Sequence, residues 1–299
     1  MLRIIYTIFI FFLSSCCAYA QTISSIRPSI LAGSWYPADK NKLQHTITKL
    51  LSNAYVPDIK GKIRAIIVPH AGYMYSGGVA AHAFKAIRGK RYDRVIMIGP
   101  CHRTPFYGVS VNLQKGYETP LGIVSVDQKF AKKLIKNTDL IRYVPLAHAF
   151  EHCLEIELPF LQTVLKEGFK IVPILMGDQD IHTSKRLADI IVRLISSDKK
   201  KTLILASSDL SHYHSYEEAV KMDHLLIKDV CNIDPYSLNR HTLNGSCEAC
   251  GKGAIMTVLF IAKELDIRKA TLLKYANSGD VTGEKSRVVG YMAVVFTSP

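Results

Sequence analysis

Beyond its first twenty positions the chain alternates short apolar runs, rich in β-branched residues, with longer stretches whose apolar residues recur every three or four positions. The runs at 64–69, 94–99, 170–176 and 202–207 have the length and composition of strands buried on both faces, and runs at 270–275 and 289–296 close the chain. Between them the helical period predicts helices over 77–87, 127–136, 155–166, 181–196, 217–230 and 252–265. Alternation of this kind predicts an α/β fold: a single domain with a mostly parallel central sheet flanked by helices on both faces. No internal repeat, low-complexity tract or Pro/Gly/Ser linker divides residues 21–299.

Residues 1–20 break the pattern. Met1-Leu2-Arg3 is a positive start, positions 4–13 are almost wholly apolar, and Ala18-Tyr19-Ala20 is a small-x-small cleavage site ahead of Gln21. This is the pattern of a secretory signal peptide, and its apolar run falls short of the roughly 20 residues that span a bilayer. Leu13-Ser14-Ser15-Cys16 also resembles a bacterial lipobox. The expectation is an exported, periplasmic protein, or alternatively a lipoprotein tethered to the membrane through Cys16.

Composition narrows the class further. The 299 residues are 48% hydrophobic and 21% charged, which excludes a disordered chain. Lys and Arg exceed Asp and Glu by 13, but the basic residues are dispersed, with Lys199-Lys200-Lys201 the strongest run, so the charge names no partner and points to no nucleic acid. Removing residues 1–20 takes away Arg3 and two of the seven cysteines, leaving +12 and five cysteines. Five is an odd number, poorly suited to a disulfide framework and compatible with one thiol kept for another use.

The candidate chemistry lies where strands end. The run 64–69 leads into His70-Ala71-Gly72-Tyr73, the run 94–99 into Pro100-Cys101-His102, and the run 202–207 into Ser208-Asp209-Leu210-Ser211-His212. The carboxyl ends of parallel strands share one rim, where ligands bind, so residues about 140 positions apart can converge there. Glu151 and His152, at the start of the predicted helix 155–166, can project into the same rim, and His148 is a weaker candidate. A single His at a strand end is ordinarily a polar loop or core residue; three together point to a metal site or acid/base catalysis. Asp209, Glu151 or a thiolate could supply an anionic ligand. Cys247 and Cys250 form a lone CxxC, read most simply as a disulfide and next as a redox pair; Cys250 also opens the helix 252–265, where the helix dipole favours thiolate. Trp35, Tyr73 and Tyr75 are candidates for a pocket wall. His82 and His224 read as packing or surface residues, and Ser208 lacks the pattern of a hydrolase nucleophile.

Six short stretches occur in order along the chain: Ala32-Gly33-Ser34-Trp35-Tyr36-Pro37, Pro69-His70-Ala71-Gly72-Tyr73, Gly99-Pro100-Cys101-His102, Glu151-His152 with Glu155 and Leu158-Pro159, Ser207-Ser208-Asp209 with His212, and Cys250-Gly251. In these the chain resembles the Memo-like family, called AmmeMemoRadiSam system protein B in prokaryotes. The resemblance implies a fold similar to class III extradiol dioxygenases of the LigB type. It further implies that His70, His102 and Cys250 are metal ligands for iron or copper, with zinc possible, beside Asp209 and His212. A thiolate ligand is softer than the carboxylate of the dioxygenases, so ring cleavage does not follow from the fold. His212, Asp209, His152 and Glu151 are then the candidates for proton transfer and orientation. The resemblance also implies an alternative, a non-catalytic accessory protein that binds a small molecule or peptide at the rim and acts with AMMECR-type and radical SAM proteins. An export signal departs from the usual family member and exposes a thiolate ligand to oxidation, with Cys247 and Cys101 as nearby partners.

Overall fold

The four apolar runs richest in Val, Ile and Leu become the parallel centre of a nine-stranded sheet. The computed structural model describes residues 25–136 and 138–299, so the expected signal peptide, its cleavage site and the Cys16 lipobox lie outside the described residues. In chain order the strands are β1 (Ile26–Arg27), β2 (Lys62–Val68), β3 (Arg94–Pro100), β4 (Val109–Val111), β5 (Gly116–Thr119), β6 (Gly122–Ser125), β7 (Ile141–Arg142), β8 (Lys170–Met176), β9 (Thr202–Ser207), β10 (His212–His214), β11 (Lys269–Asn277) and β12 (Val288–Ser298). The main sheet runs β10-β12-β2-β9-β3-β8-β4-β7, with β11 also paired to β12, and β1, β5 and β6 form a small separate sheet.

The expectation of a mostly parallel sheet holds for β2, β9, β3 and β8. Outside them β12 runs antiparallel to β2, and β4 antiparallel to β8. Side chains alternate across the central strands and feed two cores. On one face Ile66, Val68, Val95, Met97, Leu203 and Leu205 pack with helices Lys40–Asn53, Gly77–Ala86 and Leu158–Val164. On the other, Ile67, Ile96, Ile98, Ile174 and Ile204 pack with helices Ile181–Ser196, Tyr216–Cys231 and Lys252–Glu264.

Two departures from the periodicity reading bear on the site. Helix Lys40–Asn53 was not expected; the Asp39 carboxylate caps it by accepting from Lys42 N–H, and Leu43, Ile47 and Leu51 at four-residue spacing bury its inner stripe. Each of those side chains contributes about 1.5–3 kcal/mol through burial. The expected helix 155–166 is instead a 3₁₀ turn, Glu155–Glu157, followed by the α-helix Leu158–Val164. Pro159 sits in the first turn of that helix, where its missing N–H costs no hydrogen bond. Glu151 and His152 therefore lie in the loop ahead of the 3₁₀ turn and do not open a helix.

Strand order explains why distant residues meet. β2, β9 and β3 are consecutive in the sheet and parallel, so the loops that follow them leave one edge side by side. Those loops carry His70, Ser208-Asp209 and Cys101-His102.

Candidate metal centre

His70, His102 and His152 converge at that edge, with one ring nitrogen from each within 4.8 Å of the others. The His102 and His152 rings stack with centroids 4.5 Å apart, and His70 stands edge-on to both at 5.2 Å. Cys250 joins through His70, its Sγ lying 3.2 Å from His70 Nε2. Gly251 is needed behind it, because a Cβ there would come within 2.7 Å of the Ser207 carbonyl oxygen. The three imidazoles line a cleft of about 820 Å³ whose walls include Trp35, Tyr75, Asp209, His212, Tyr213 and Arg287. Trp35 covers His152, their ring centroids 4.7 Å apart.

Glu151 organises the loop end. Its Oε2 accepts from the His102 backbone N–H at 2.6 Å, and its Oε1 accepts from His102 Nδ1 at 2.9 Å and from the backbone N–H groups of His152 and Cys153 at 3.0 and 3.2 Å. Burial alone would raise this carboxyl, but the hydrogen bond from the His102 ring, the electrostatic pull of the His102 and His152 imidazoles and the His102 amide hold it at about 2. An ionised carboxylate only accepts, so His102 carries a proton on Nδ1, which leaves Nε2 as the ring nitrogen that can meet a ligand. His212 reaches the same tautomer by donating Nδ1–H to the Leu210 carbonyl at 2.7 Å. His152 Nδ1 lies 3.2 Å from Glu151 Oε1, but out of line for a hydrogen bond, and is buried without a partner.

The donor set fits a transition metal. Burial, reinforced by the neighbouring imidazoles, holds His70 and His152 at about 3, so both are neutral at physiological pH. Neutral imidazoles with a nearby sulfur suit iron, copper or zinc and do not suit magnesium or calcium. Cys250 differs from its sequence expectation. Burial and then the Asp209 carboxylate push its thiol up, against the thiolate that a helix start was expected to favour. A metal bound there would displace the thiol proton. Asp209, itself raised to about 6 by burial, accepts from the His70 backbone N–H at 2.8 Å.

The structure gathers all seven candidate residues at one rim. His70, His102, His152, Asp209 and His212 line the cleft, Glu151 holds His102 from behind, and Cys250 touches His70. The five described cysteines are all free thiols, so no Cys247–Cys250 disulfide is present; Cys247 is buried among apolar side chains of the second core. Cys101 turns away to donate to the Thr104 carbonyl. Tyr73 is buried, its hydroxyl donating to the Ile156 carbonyl; it is absent from the wall of this cleft and instead lines a neighbouring pocket with Trp35 and Tyr36. Sequence reasoning missed Arg287 and Tyr291 in the cleft wall. It also missed Tyr213 as a rim residue, held with φ of 66° in the left-handed region.

His148 lies off the site. It is buried, with Nε2 against Ser110 Oγ at 2.9 Å and Nδ1 against Tyr117 Oη at 3.2 Å. Burial and then the Arg27 charge lower it to about 3. The unfolded chain takes up this proton near pH 6.5 and the folded one only near pH 3, so its contribution to stability is complete above 6.5 and is lost as pH falls. Urea denaturation from pH 7 to 4 should therefore show wild type losing up to about 1.4 kcal/mol per pH unit more than His148→Gln. Parallel curves would contradict this.

The chain is similar to known proteins over nearly its whole described length. The family model described as Memo-like protein matches residues 27–295. A MEMO1 family protein of Sulfolobus acidocaldarius is 41% identical over 283 residues, covering 91% of this chain and 99% of the relative. One from Nitrosopumilus maritimus is 36% identical over 275 residues, with 91% and 99% covered. Among solved structures, an uncharacterized protein of Escherichia coli K12 aligns with a TM-score of 0.54 at 11% identity, covering 78% of this chain and 99% of that one, a likeness of fold alone. On the family match and on the identity to these relatives over nearly their whole length, the chain belongs to the Memo-like protein family.

Proposed function

We propose that this is an exported Memo-like metal protein in which His70, His102 and Cys250 hold iron or copper, with His152 completing the donor cluster. The observation that carries the reading is the meeting of three imidazoles within 4.8 Å, with a thiol 3.2 Å from one of them, in an accessible cleft. When bound, such a metal supplies Lewis acidity and redox capacity for an oxygenase-type or other redox reaction. The protein's own part is defined by its protonation pattern. His212, with its proton on Nδ1, offers Nε2 as a base at the cleft, and Asp209 fixes the backbone of His70. Trp35 and Tyr75 form apolar walls against which a planar substrate would lie.

A second reading is favoured by the cleft mouth, where Met74 and Tyr213 are 70% and 63% exposed. Exposed Met and Tyr side chains suit an adaptable binding surface, so the chain would serve as an accessory protein that holds a small molecule or peptide, acting with AMMECR-type and radical SAM proteins. Export to the periplasm, as a soluble protein or through a lipidated Cys16, is part of either proposal.

Dioxygen uptake separates the two. The full chain, reconstituted anaerobically with Fe(II) and assayed with catechol in an oxygen electrode, is expected to consume dioxygen in a metal-dependent manner. Iron bound without uptake would favour the binding role. Absence of iron binding would overturn the iron reading.

A further inference from the structure

Behind His70, away from the cleft, one hydroxyl has three neighbours. Ser207 Oγ lies 2.7 Å from the Cys153 carbonyl oxygen, 2.9 Å from His70 Nδ1 and 3.0 Å from Glu157 Oε1. Ser207 and Glu157 are fully buried and His70 is 2% exposed. A hydroxyl has one hydrogen to give and two lone pairs. The Cys153 carbonyl can only accept, so it takes the hydrogen; the other two neighbours must then both donate. That condition puts a proton on His70 Nδ1 and another on Glu157 Oε1.

The alternative fails on the same count. An ionised Glu157 would claim the Ser207 hydrogen and leave two lone pairs facing one another across 2.7 Å at Cys153. It would also bury a charge whose Oε2 meets no protein donor and which, among the described residues, forms no ion pair. Burial favours the neutral acid, and the negative charge of Asp209 adds to it.

We propose that Glu157 is a neutral carboxylic acid which, through Ser207, locks His70 in the Nδ1-protonated tautomer and presents Nε2 to the site. With His102 held by Glu151 and His212 by the Leu210 carbonyl, three imidazoles then share one tautomer, each set by a different partner. Glu157 and Ser207 are positioning residues: neither lines the cleft, and both act through His70. The consequence for metal affinity rests on the function proposed above; the protonation pattern itself does not.

Three measurements on the full chain test this. In the metal-free protein at neutral pH, the infrared difference between wild type and Glu157→Gln is expected to contain the carbonyl band of a protonated carboxyl; a carboxylate band pair in its place would overturn the proposal. The ¹⁵N shifts of the His70 ring, assigned against His70→Ala, are expected to show Nδ1 protonated in wild type and in Glu157→Gln, whose amide still donates to Ser207. An Nε2-protonated ring in wild type would overturn it. Competition of a chromogenic chelator for Zn²⁺ is expected to show about 10–100-fold weaker binding in Ser207→Ala and Glu157→Ala, with Glu157→Gln close to wild type. A loss in Glu157→Gln equal to that in Glu157→Ala would overturn it. If wild type binds no zinc, the infrared and ¹⁵N results still decide the relay, and the failure belongs to the metal reading.

Discussion

Glu155→Ala should destabilise the protein by about 3–5 kcal/mol, the cost of removing one partner from a buried ion pair. Glu155 and Arg27 are 0% and 1% exposed, and the Glu155 carboxylate accepts from Arg27 Nη1. It also accepts from Ser29 Oγ, from the backbone N–H groups of Ile30 and Leu31, and from the Tyr36 hydroxyl. Alanine leaves the buried guanidinium, the buried Leu31 N–H and the half-buried Ile30 N–H without this acceptor. Arg27 also donates to the carbonyls of His148 and Glu151, so the same contact fastens the segment before Trp35 to the loop that carries Glu151 and His152. Zinc affinity should therefore fall along with the urea midpoint, although Glu155 touches none of the cluster imidazoles. A change below about 1 kcal/mol would show that the carboxylate is not the clamp.

His70→Ala has the other large effect. His70 is in contact with Cys250 and edge-on to both His102 and His152, so its loss removes the group that joins the thiol to the imidazoles. At 100 times its dissociation constant a metal that binds only the folded state stabilises it by about 2.7 kcal/mol. Wild type should show that gain as a rise in melting temperature on titration with Zn²⁺, and His70→Ala should show none. An equal rise in both would place the metal elsewhere.

Much of the architecture is legible from sequence because the central strands are buried on both faces. The stretches β3, β8 and β9 are apolar at nearly every position and only six or seven residues long, a run too short for the equally apolar helix Lys252–Glu264. The short strands β4, β7 and β10 escape notice, since two or three residues carry no period and their pairing is set by neighbours. Helix Lys40–Asn53 was readable from Asp39 and the spacing of Leu43, Ile47 and Leu51, but its polar face dilutes the pattern.

Within the site, His70, His102 and Asp209 follow strands directly and were legible for that reason. His152 was harder to place, because it sits in a loop with no periodicity and reaches the cluster through hydrogen bonds that Glu151 makes to the backbone. The choice between Cys247 and Cys250, which spacing left open, is made by packing: one faces the core and the other faces His70. Glu157 carried no signal at all. A glutamate among apolar residues of a helical pattern reads as a surface position, and only its burial beside Ser207 shows otherwise.

X-ray absorption at the metal edge tests the centre most directly. Protein loaded anaerobically with one equivalent of Fe(II) or Zn²⁺ is expected to show an inner shell of imidazole nitrogens with one sulfur, and to lose the sulfur in Cys250→Ser. A shell of oxygens alone, or a sulfur that persists in Cys250→Ser, would contradict a metal centre built on these residues.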